Sequence, residues 1–592
     1  MIKVTHQLYI CCLFFMNLNG FVMAQAPAFP IPFEENNNTS ATYQQTIAFY
    51  ENLAAAFPEK VQLQVHGTTD SGHPLHLAVV SLDGDFLPAS LRQKGRKVLF
   101  INNAIHPGEP CGVDASMLLL RDYLQQDSLQ QYLSEVVLVV IPFYNIGGGL
   151  NRGAFSRANQ NGPQEHGFRG NAKNLDLNRD FIKCDSRNAR TFNQLYTTWM
   201  PDVFIDNHTS NGADYQYTMT MVTTQHNKLE TVLASYLNEQ MLPELHENMA
   251  KKGWEMTPYV YARGTPDEGI AGFLDLPRYS SGYAALHHAF SFMPETHMLK
   301  PFKDRVQSTY AYMDCMIRFL HKKGDQVVAV RKEAIEKSKQ KPVFPINWKL
   351  DFNRADTLLF KGYTAKHKPS AVTGLDRLYY DRKEPYKKEV PFYNYYETIQ
   401  EVEKPVAYLI PQGYREVIER LQWNGVTLKQ LSEDVALELE MYTIKDFETS
   451  SSPYEGHYLH SKVAVDKEVR TWPYHKGDYV VFVNQATNRY IVETLEPQAP
   501  DSYFAWNFFD GILMQKEYFS AYVFEDLAAD FLKDHPEVKA ALEEKKAADE
   551  KFAQSARAQL NFVYEQSPYY ERTHRVYPVG RMLSELALPL KP

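Results

Sequence analysis

Four short apolar runs constrain the fold of this chain more than any other feature. Each run is continuous and ends at polar or turn-forming residues, as strands buried on both faces of a sheet do. The runs span residues 97–102, 136–142, 203–206 and 289–293. Helix-like stretches alternate with them, at residues 113–124, 188–198 and 229–251. Strand alternating with helix in this way predicts one doubly wound α/β domain.

The pattern changes after about residue 325. A charged helix-like stretch is followed by Pro-punctuated sequence in which strand-like segments dominate up to residue 520, and residues 524–564 are again helix-like. We therefore predict an α/β domain over residues 25–330. A C-terminal accessory region of α+β type is predicted over residues 331–592, β-rich to about 520 and then helical.

The first 24 residues have the pattern of a secretory signal peptide. Lys3 precedes the apolar run 8–15, and Val22-Met23-Ala24 offers small residues for cleavage. A membrane anchor is the alternative, but this run is short for the ~30 Å of a bilayer core. No later stretch approaches 18 uninterrupted apolar residues. The sequence thus predicts an exported protein, periplasmic or secreted, with no stable membrane span once the leader is removed.

Charge and cysteine usage exclude some classes of site. The net charge of −9 comes without a dedicated basic patch, which argues against a nucleic-acid partner. Outside the leader only Cys111, Cys184 and Cys315 remain, too few for a disulfide scaffold or a cysteine-based zinc site. Any metal must therefore be bound by histidine and carboxylate side chains.

The segment His106-Pro107-Gly108-Glu109 follows the first apolar run directly. An imidazole and a carboxylate three residues apart on a tight turn can converge on one ion, and a catalytic zinc takes three protein ligands with one position open. Such a pair also occurs by chance in a chain with 19 histidines. Its position supports the metal interpretation, because α/β enzymes bind ligands at strand ends.

A third ligand is expected at the end of a neighbouring strand. His208 fits this position, since the apolar run 203–206 leads into the polar segment Asn207-His208-Thr209-Ser210. An isolated histidine there would more often be a hydrogen-bonding residue. The pairing with His106 and Glu109 favours a metal ligand instead.

Between these motifs lies Asn174-Leu175-Asp176-Leu177-Asn178-Arg179-Asp180-Phe181. With this segment the chain resembles the zinc carboxypeptidase family, whose order is H-x-x-E, an arginine, an Asn-Arg pair preceded by Asp, a single His and a late Glu. All of these occur in that order within residues 106–295. The resemblance implies a mixed central sheet with helices on both faces and a single Zn²⁺ ion.

The resemblance also implies a role for each matching residue. His106, Glu109 and His208 are expected to bind zinc, and Asp176 to orient His106. Asn178 and Arg179 are expected to bind the terminal carboxylate of a substrate, for which a guanidinium offers two parallel hydrogen bonds. The alternative for this pair is a surface turn with a salt bridge.

Glu295, in Phe292-Met293-Pro294-Glu295, is the expected catalytic carboxylate. Emergence from an apolar strand desolvates it and raises its pKa toward the working pH. The alternative is a structural ion pair with Lys300 or Arg305.

The resemblance implies roles for two further residues, although the family's spacing is less clearly kept there. Arg157 is the expected oxyanion stabiliser, with Arg169 as the alternative. Tyr283 is the expected mobile tyrosine over the substrate, with Tyr279 and Tyr261 as alternatives.

Together these features predict an exported zinc metallocarboxypeptidase that hydrolyses C-terminal peptide bonds, with peptide or protein C-termini as substrates. One rival is a related zinc amidohydrolase or cell-wall stem-peptide peptidase on the same fold. Another is a catalytically inactive protein that binds peptides or glycans. The sequence leaves the side-chain preference at the substrate's last residue open.

Overall fold

The computed structural model describes residues 29–262 and 264–591. The predicted leader, residues 1–24, lies outside the described residues. A mixed α/β arrangement around a central sheet is present, as predicted, and the C-terminal half adds three further groups of strands.

The first half contains eleven strands among the described residues. They are β1 Val61–His66, β2 Leu75–Val80, β3 Lys97–Asn102, β4 Val136–Ile141, β5 Val203–Asp206, β6 His208–Ser210, β7 Met219–Thr223, β8 Met256–Pro258, β9 Tyr261–Ala262, β10 Ile270–Ala271 and β11 Phe290–His297. The accompanying helices are α1 Phe33–Asn36, α2 Tyr43–Ala56, α3 Pro88–Gln93, α4 Cys111–Gln125, α5 Asp127–Gln130, α6 Ile146–Leu150, α7 Arg187–Trp199, α8 Thr231–Tyr236, α9 Leu242–Lys251, α10 Ser280–Leu286 and α11 Phe302–Gln340.

Nine of these strands form the central sheet, in the order β1-β2-β4-β3-β5-β11-β7-β8 with β6 also paired to β11. The middle strands β4, β3, β5 and β11 are mutually parallel, whereas β1, β2 and β7 join antiparallel. The carboxyl ends of the parallel strands therefore share one edge. That edge is where open α/β sheets bind ligands.

Each face of the sheet is covered by a separate apolar cluster. Side chains that alternate along β3, such as Leu99 and Ile101, pack under α2, α4 and α11. Val98 and Phe100, which point the other way, pack with α7, α10 and aromatic residues of the C-terminal half such as Trp506. The C-terminal half thus shares a core with the second face of the sheet.

The C-terminal half carries ten more strands and six more helices. The strands are β12 Val343–Leu350, β13 Asp356–Pro369, β14 Asp376–Tyr393, β15 Tyr396–Glu403, β16 Ala407–Ile410, β17 Lys429–Gln430, β18 Val435–Thr449, β19 His460–Tyr474, β20 Tyr479–Phe482 and β21 Gly580–Met582. The helices are α12 Arg415–Trp423, α13 Asn488–Leu495, α14 Ala521–Asp534, α15 Pro536–Ala548, α16 Glu550–Ala553 and α17 Ala556–Gln566.

These strands are not confined to a separate unit. Six of them form one sheet, β17-β20-β16-β21-β18-β19, whereas the long hairpin β13-β14 is joined by β10 and β9 of the first half. The division predicted at residue 330 falls inside the continuous helix α11, which ends at Gln340. In the described part of the chain, no helix combines the length and the apolar character needed to cross a membrane.

Candidate metal centre and substrate cavity

Three neighbouring strands bring the predicted site residues to one edge of the sheet. His106 and Glu109 lie on the turn that follows β3, and His208 opens β6 directly after β5. Glu295 lies near the end of β11, where it pairs in register with His208. Residues up to 189 positions apart in sequence therefore meet because β3, β5 and β11 are adjacent and parallel.

His106, Glu109 and His208 form a buried group whose ligand atoms all lie within 4.8 Å of one another. Glu109 Oε1 is 3.2 Å from His106 Nδ1, and Glu109 Oε2 is 3.1 Å from His208 Nδ1. Two imidazole nitrogens and one carboxylate are a donor set typical of catalytic zinc sites, which keep a fourth position open. The three side chains that the sequence singled out are thus close enough to bind one ion.

Both imidazoles present the same nitrogen to the centre of this group. His106 Nε2 donates to Asp176 Oδ1 at 2.8 Å, and His208 Nε2 donates to Asp206 Oδ2 at 2.9 Å. His106 Nδ1 is buried and makes no hydrogen bond with the described residues. A carboxylate on the far nitrogen is the usual support of a metal-binding histidine. The donor atoms therefore suit a zinc ion.

The charges of the group also suit a cation. Burial acts to lower the pKa of His208, but the carboxylates of Asp206 and Glu109 outweigh it and raise the pKa well above its usual value. Burial acts to raise the pKa of Glu109, but His106 and Arg157 outweigh it and hold the pKa of this carboxyl well below its usual range. Anionic oxygens thus surround two imidazoles, an environment that favours positive charge between them.

A cavity of about 670 Å³ opens over these residues. Its walls contain three arginines, two acids, a row of aromatic rings and several apolar side chains. They include Arg157, Phe168, Arg169, Asn178, Arg179, Val222, Tyr259, Phe273, Tyr279, Met293, Glu295 and Met298. Its volume lies in the range of small-ligand sites.

Glu295 faces this cavity. It is the only partly exposed residue of β11, and its carboxylate accepts no hydrogen bond from the described residues. Burial raises its pKa to about 7, while the neighbouring charge of His208 acts to lower the pKa. A carboxylate with a pKa near neutrality can both accept and return a proton.

Two arginines lie at the metal side of the cavity, but they are held differently. Arg157 Nη2 donates to Glu109 Oε1 at 2.6 Å, and Arg157 Nη1 donates to Gln160. Arg169 Nε donates to Asp176 Oδ2 at 2.9 Å, with its Nη1 3.6 Å from Glu109 Oε1. Arg169 is also the arginine whose charge acts on the pKa of Glu295.

Asn178 and Arg179 also line the cavity, and Arg179 Nη1 lies 3.8 Å from Asp176 Oδ2. Asn178 Oδ1 accepts from Ser280 N at 3.0 Å, which orients the amide. The guanidinium of Arg179 lies 4.4 Å from the centroid of the Tyr279 ring. Tyr279 continues into Phe273 at 5.1 Å and Tyr259 at 6.2 Å between successive ring centroids. An aromatic row therefore leads along the wall to Arg179.

The prediction for Tyr283 is wrong. This tyrosine is fully buried in α10, where it packs on Phe181 and Tyr196 and its hydroxyl donates to Asn424 Oδ1 at 2.7 Å. The Cβ of a helical residue points to one face only, and this position faces the core. Of its alternatives, Tyr279 lines the cavity whereas Tyr261 is 56% exposed and does not.

Sequence reasoning missed several residues of the site. Asp206 was within reach, because it lies two positions before His208 on an extended segment, where alternate side chains share a side. Tyr259 and Phe273 could not be identified from the sequence, since they belong to short connecting segments without a regular period. Their places depend on packing between segments far apart in sequence.

Comparison with known families agrees with the resemblance. Residues 46–267 match the zinc carboxypeptidase family. This range holds His106, Glu109, Asn178, Arg179 and His208, whereas Glu295 lies beyond it. A comparison with curated proteins gives no match.

Several solved structures are similar to this chain at low identity. A metallo-carboxypeptidase from Pseudomonas aeruginosa, in complex with (2-guanidinoethylmercapto)succinic acid, has a TM-score of 0.37 at 17% identity and covers 48% of this chain and 70% of that chain. Carboxypeptidase A from Helicoverpa armigera has a TM-score of 0.35 at 13% identity and covers 50% of this chain and 74% of that chain.

Proposed function

We propose that this chain, whose residues 46–267 match the zinc carboxypeptidase family, is a zinc-dependent carboxypeptidase that releases the last residue of peptides. One observation carries the proposal. The grouped donors of His106, Glu109 and His208 lie in the same cavity as a carboxylate with a pKa of about 7, Glu295, and a guanidinium, Arg179. That combination provides a metal, a base and a recognition group for a free carboxylate.

His106, Glu109 and His208 would hold the ion, with Asp176 and Asp206 fixing the two imidazoles. When bound, zinc supplies an acidified water and polarises a carbonyl group. Glu295 takes the proton from the attacking water and later gives it to the departing amine nitrogen, as the peptide C–N bond breaks. Its pKa of about 7 suits both transfers.

Arg169 is proposed as the cation that stabilises the developing negative charge on the carbonyl oxygen. Arg157 was the first expectation from the sequence, but its Nη2 is engaged by Glu109 at 2.6 Å. Arg169 keeps its Nη1 free of hydrogen bonds from the described residues and acts electrostatically on Glu295. Arg157 is proposed instead to hold Glu109 in place.

The cavity wall supports a preference for apolar residues at the substrate's C-terminus. Met293 lies two residues from Glu295 on the same side of β11, and Val222 is its direct partner across the sheet. Phe273 and Tyr259 continue this wall. Besides Glu109 and Glu295, no carboxylate of the described residues lines the cavity, so a basic side chain would find no separate acid to pair with.

A peptide library analysed by mass spectrometry tests the proposal. We expect loss of single C-terminal residues, fastest for phenylalanine and leucine and slow for lysine and arginine, with activity abolished by a chelator and restored by zinc. Amidated peptides should resist cleavage. Cleavage of amidated and free peptides at equal rates would instead support the second candidate, an amidohydrolase on the same fold.

Export is also part of the proposal. It is supported by the apolar run 8–15 and the small residues at 22–24. N-terminal sequencing of the protein recovered from the extracellular or periplasmic fraction should begin at Gln25. An intact Met1 on protein from that fraction would contradict the cleavage site.

A further inference from the structure

A tight turn of the C-terminal region, residues 454–457, reaches the part of the cavity wall that contains Asn178 and Arg179, which we call the carboxylate side. Tyr454 N donates to His457 O at 2.7 Å, and His457 N donates to Tyr454 O at 3.1 Å. Glu455 and Gly456 have φ values of 51° and 86°. Positive φ at both central residues is the geometry of a two-residue hairpin turn. The turn is therefore a well-defined projection from the C-terminal region.

The turn contacts both Arg179 and Asp176, the residue that supports His106. Arg179 Nε donates to Tyr454 Oη at 3.0 Å. Asp176 N donates to Glu455 Oε2 at 2.8 Å, and the Asp176 side chain bonds in turn to His106. Residues 275 and 279 positions away in sequence thus touch the segment that carries Asp176 and Arg179.

Contacts with Trp506 and Arg278 hold the Tyr454 ring in place. Its ring stacks on Trp506 with centroids 6.1 Å apart, and the Arg278 guanidinium lies 5.4 Å from the Tyr454 ring centroid. Arg278 is itself paired with Asp501 at 2.8 Å. At the other end of the turn, His457 Nε2 donates to Asp185 Oδ2 at 2.7 Å. The hydroxyl that meets Arg179 therefore has little freedom to move.

These contacts determine how Arg179 can be used. Its Nε is engaged by Tyr454, its Nη1 donates to Asn178 O at 2.7 Å, and its plane lies over Tyr279. No hydrogen bond from the described residues engages its Nη2. The two terminal nitrogens thus retain hydrogens for a carboxylate, while rotation of the guanidinium is restrained. A recognition group ordered before binding loses less entropy when the ligand arrives.

We propose that Tyr454 is a positioning residue for Arg179, so that the C-terminal region completes the carboxylate-recognition side of the cavity. This inference rests on the proposed function for the identity of its ligand, a peptide with a free C-terminal carboxylate. It assigns to the C-terminal region a part in substrate selection that its sequence does not reveal.

The test compares full-length wild type with Tyr454→Phe, which removes only the hydroxyl group. Acetyl-alanyl-phenylalanine and its C-terminal amide serve as probes. KM and kcat are measured with the free acid, and dissociation constants for both probes are measured by calorimetry in a Glu295→Gln background. The matched control is Tyr458→Phe, a 53% exposed tyrosine one residue beyond the turn.

Loss of one positioning hydrogen bond of ordinary strength predicts a KM and a dissociation constant about 5- to 10-fold higher for the free acid, with kcat within about twofold. The affinity for the amide should not change, so the preference for acid over amide falls by the same factor. Tyr458→Phe should behave like wild type. A purely structural role would instead weaken both probes equally or lower kcat alone.

Unchanged KM and affinity in Tyr454→Phe, while wild type is active, overturn this inference and leave the proposed function standing. A wild type that binds the acid over the amide without cleaving it rejects the catalytic proposal, and the calorimetry still tests Tyr454. A wild type that does not distinguish acid from amide overturns the inference, since there is then no carboxylate recognition to position.

Discussion

The two sides of the cavity are held in place by different parts of the chain. On the metal side, His106, Glu109 and His208 are 2–3% exposed and find their partners within residues 106–209. On the carboxylate side, Arg179 is 21% exposed and takes one of its hydrogen-bond partners from residue 454. The side chains of the metal side all come from the first half of the chain, where the C-terminal region adds only the contact of Glu455 with the backbone of Asp176. The side chain of Arg179, in contrast, is bound directly by a residue of the C-terminal region.

The two sides therefore differ in their proposed roles, since the metal side would carry out catalysis and the carboxylate side would bind the substrate's C-terminus. Strand ends of one sheet fix the metal group, because adjacent parallel strands hold their ends in register. The proposed recognition of the substrate's C-terminus would instead involve the C-terminal region, which shares a hydrophobic core with the sheet. Changes on the metal side should therefore abolish turnover, and changes on the carboxylate side should alter which peptides are bound.

The largest expected effect is on the metal side. Glu295→Gln should lower kcat on the order of 10³- to 10⁴-fold, because no other group is proposed to carry the proton. Zinc content, measured by atomic absorption, should stay at one ion per chain, whereas His208→Ala should lose the ion. Glu247→Gln, on an exposed helix face, is the matched control. Substantial residual turnover in Glu295→Gln would reject its assignment as the base.

The next effect distinguishes the two arginines near Glu109. Arg169→Lys should reduce kcat by about 10²- to 10³-fold, the usual cost of removing one oxyanion donor. Arg157→Lys should act mainly by weakening zinc binding, through its contact with Glu109. Titration with zinc during steady-state assays separates the two effects. If excess zinc restores Arg169→Lys and not Arg157→Lys, their roles are exchanged.

Removing the proposed carboxylate-binding group should have a smaller effect. Arg179→Ala should lower kcat/KM for peptides with a free C-terminus by about 100-fold, since a charge-assisted pair is lost. The slow cleavage of amidated peptides should stay unchanged. Arg187→Ala, which changes an exposed arginine at the start of α7, is the control. An equal loss for free and amidated peptides would mean that Arg179 does not read the carboxylate.

The smallest effect concerns stability near the metal side. Burial raises the pKa of Asp114, on α4, to about 7, although the backbone N–H of Ala41 acts to lower the pKa. Its ordinary value is 3.8, so the folded state keeps a proton that the unfolded chain releases. The stability that this retained proton gives the folded state is complete below pH 4. It declines as the pH rises and is lost as the pH passes through 7.

Urea unfolding of the metal-free protein at pH 5 and pH 8 measures this effect. Asp114→Asn should remove about 2–3 kcal/mol of the fall in unfolding free energy between the two pH values, since a tenfold change in proton affinity corresponds to about 1.4 kcal/mol. An identical fall in both proteins would show that Asp114 does not titrate in this range.

Sequence patterns predicted the central strands closely. The runs 97–102 and 203–206 coincide with β3 and β5, because buried parallel strands are apolar throughout. The run 289–293 ended too early, since β11 continues through Glu295 to His297. Pairing with β6 and β7 extends the strand into polar residues, and local composition does not reveal such pairing.

Residues at strand ends could be predicted from the sequence, whereas contacts between distant segments could not. His106, Glu109 and His208 were identified because each follows an apolar run, a feature visible in the sequence. Tyr283 was misplaced because it was carried over from the resemblance without regular spacing, and the sequence alone did not show that this position of α10 faces the core. The contact of Tyr454 with Arg179 joins residues 275 positions apart and leaves no periodic pattern. Contacts of that kind depend on the packing of the whole chain.

Anomalous diffraction at the zinc edge, from crystals grown with zinc, tests the central claim most directly. We expect one strong peak between the Nδ1 atoms of His106 and His208 and the carboxylate of Glu109, open toward the cavity that holds Glu295. A peak elsewhere, or none at this position with zinc in excess, would contradict it.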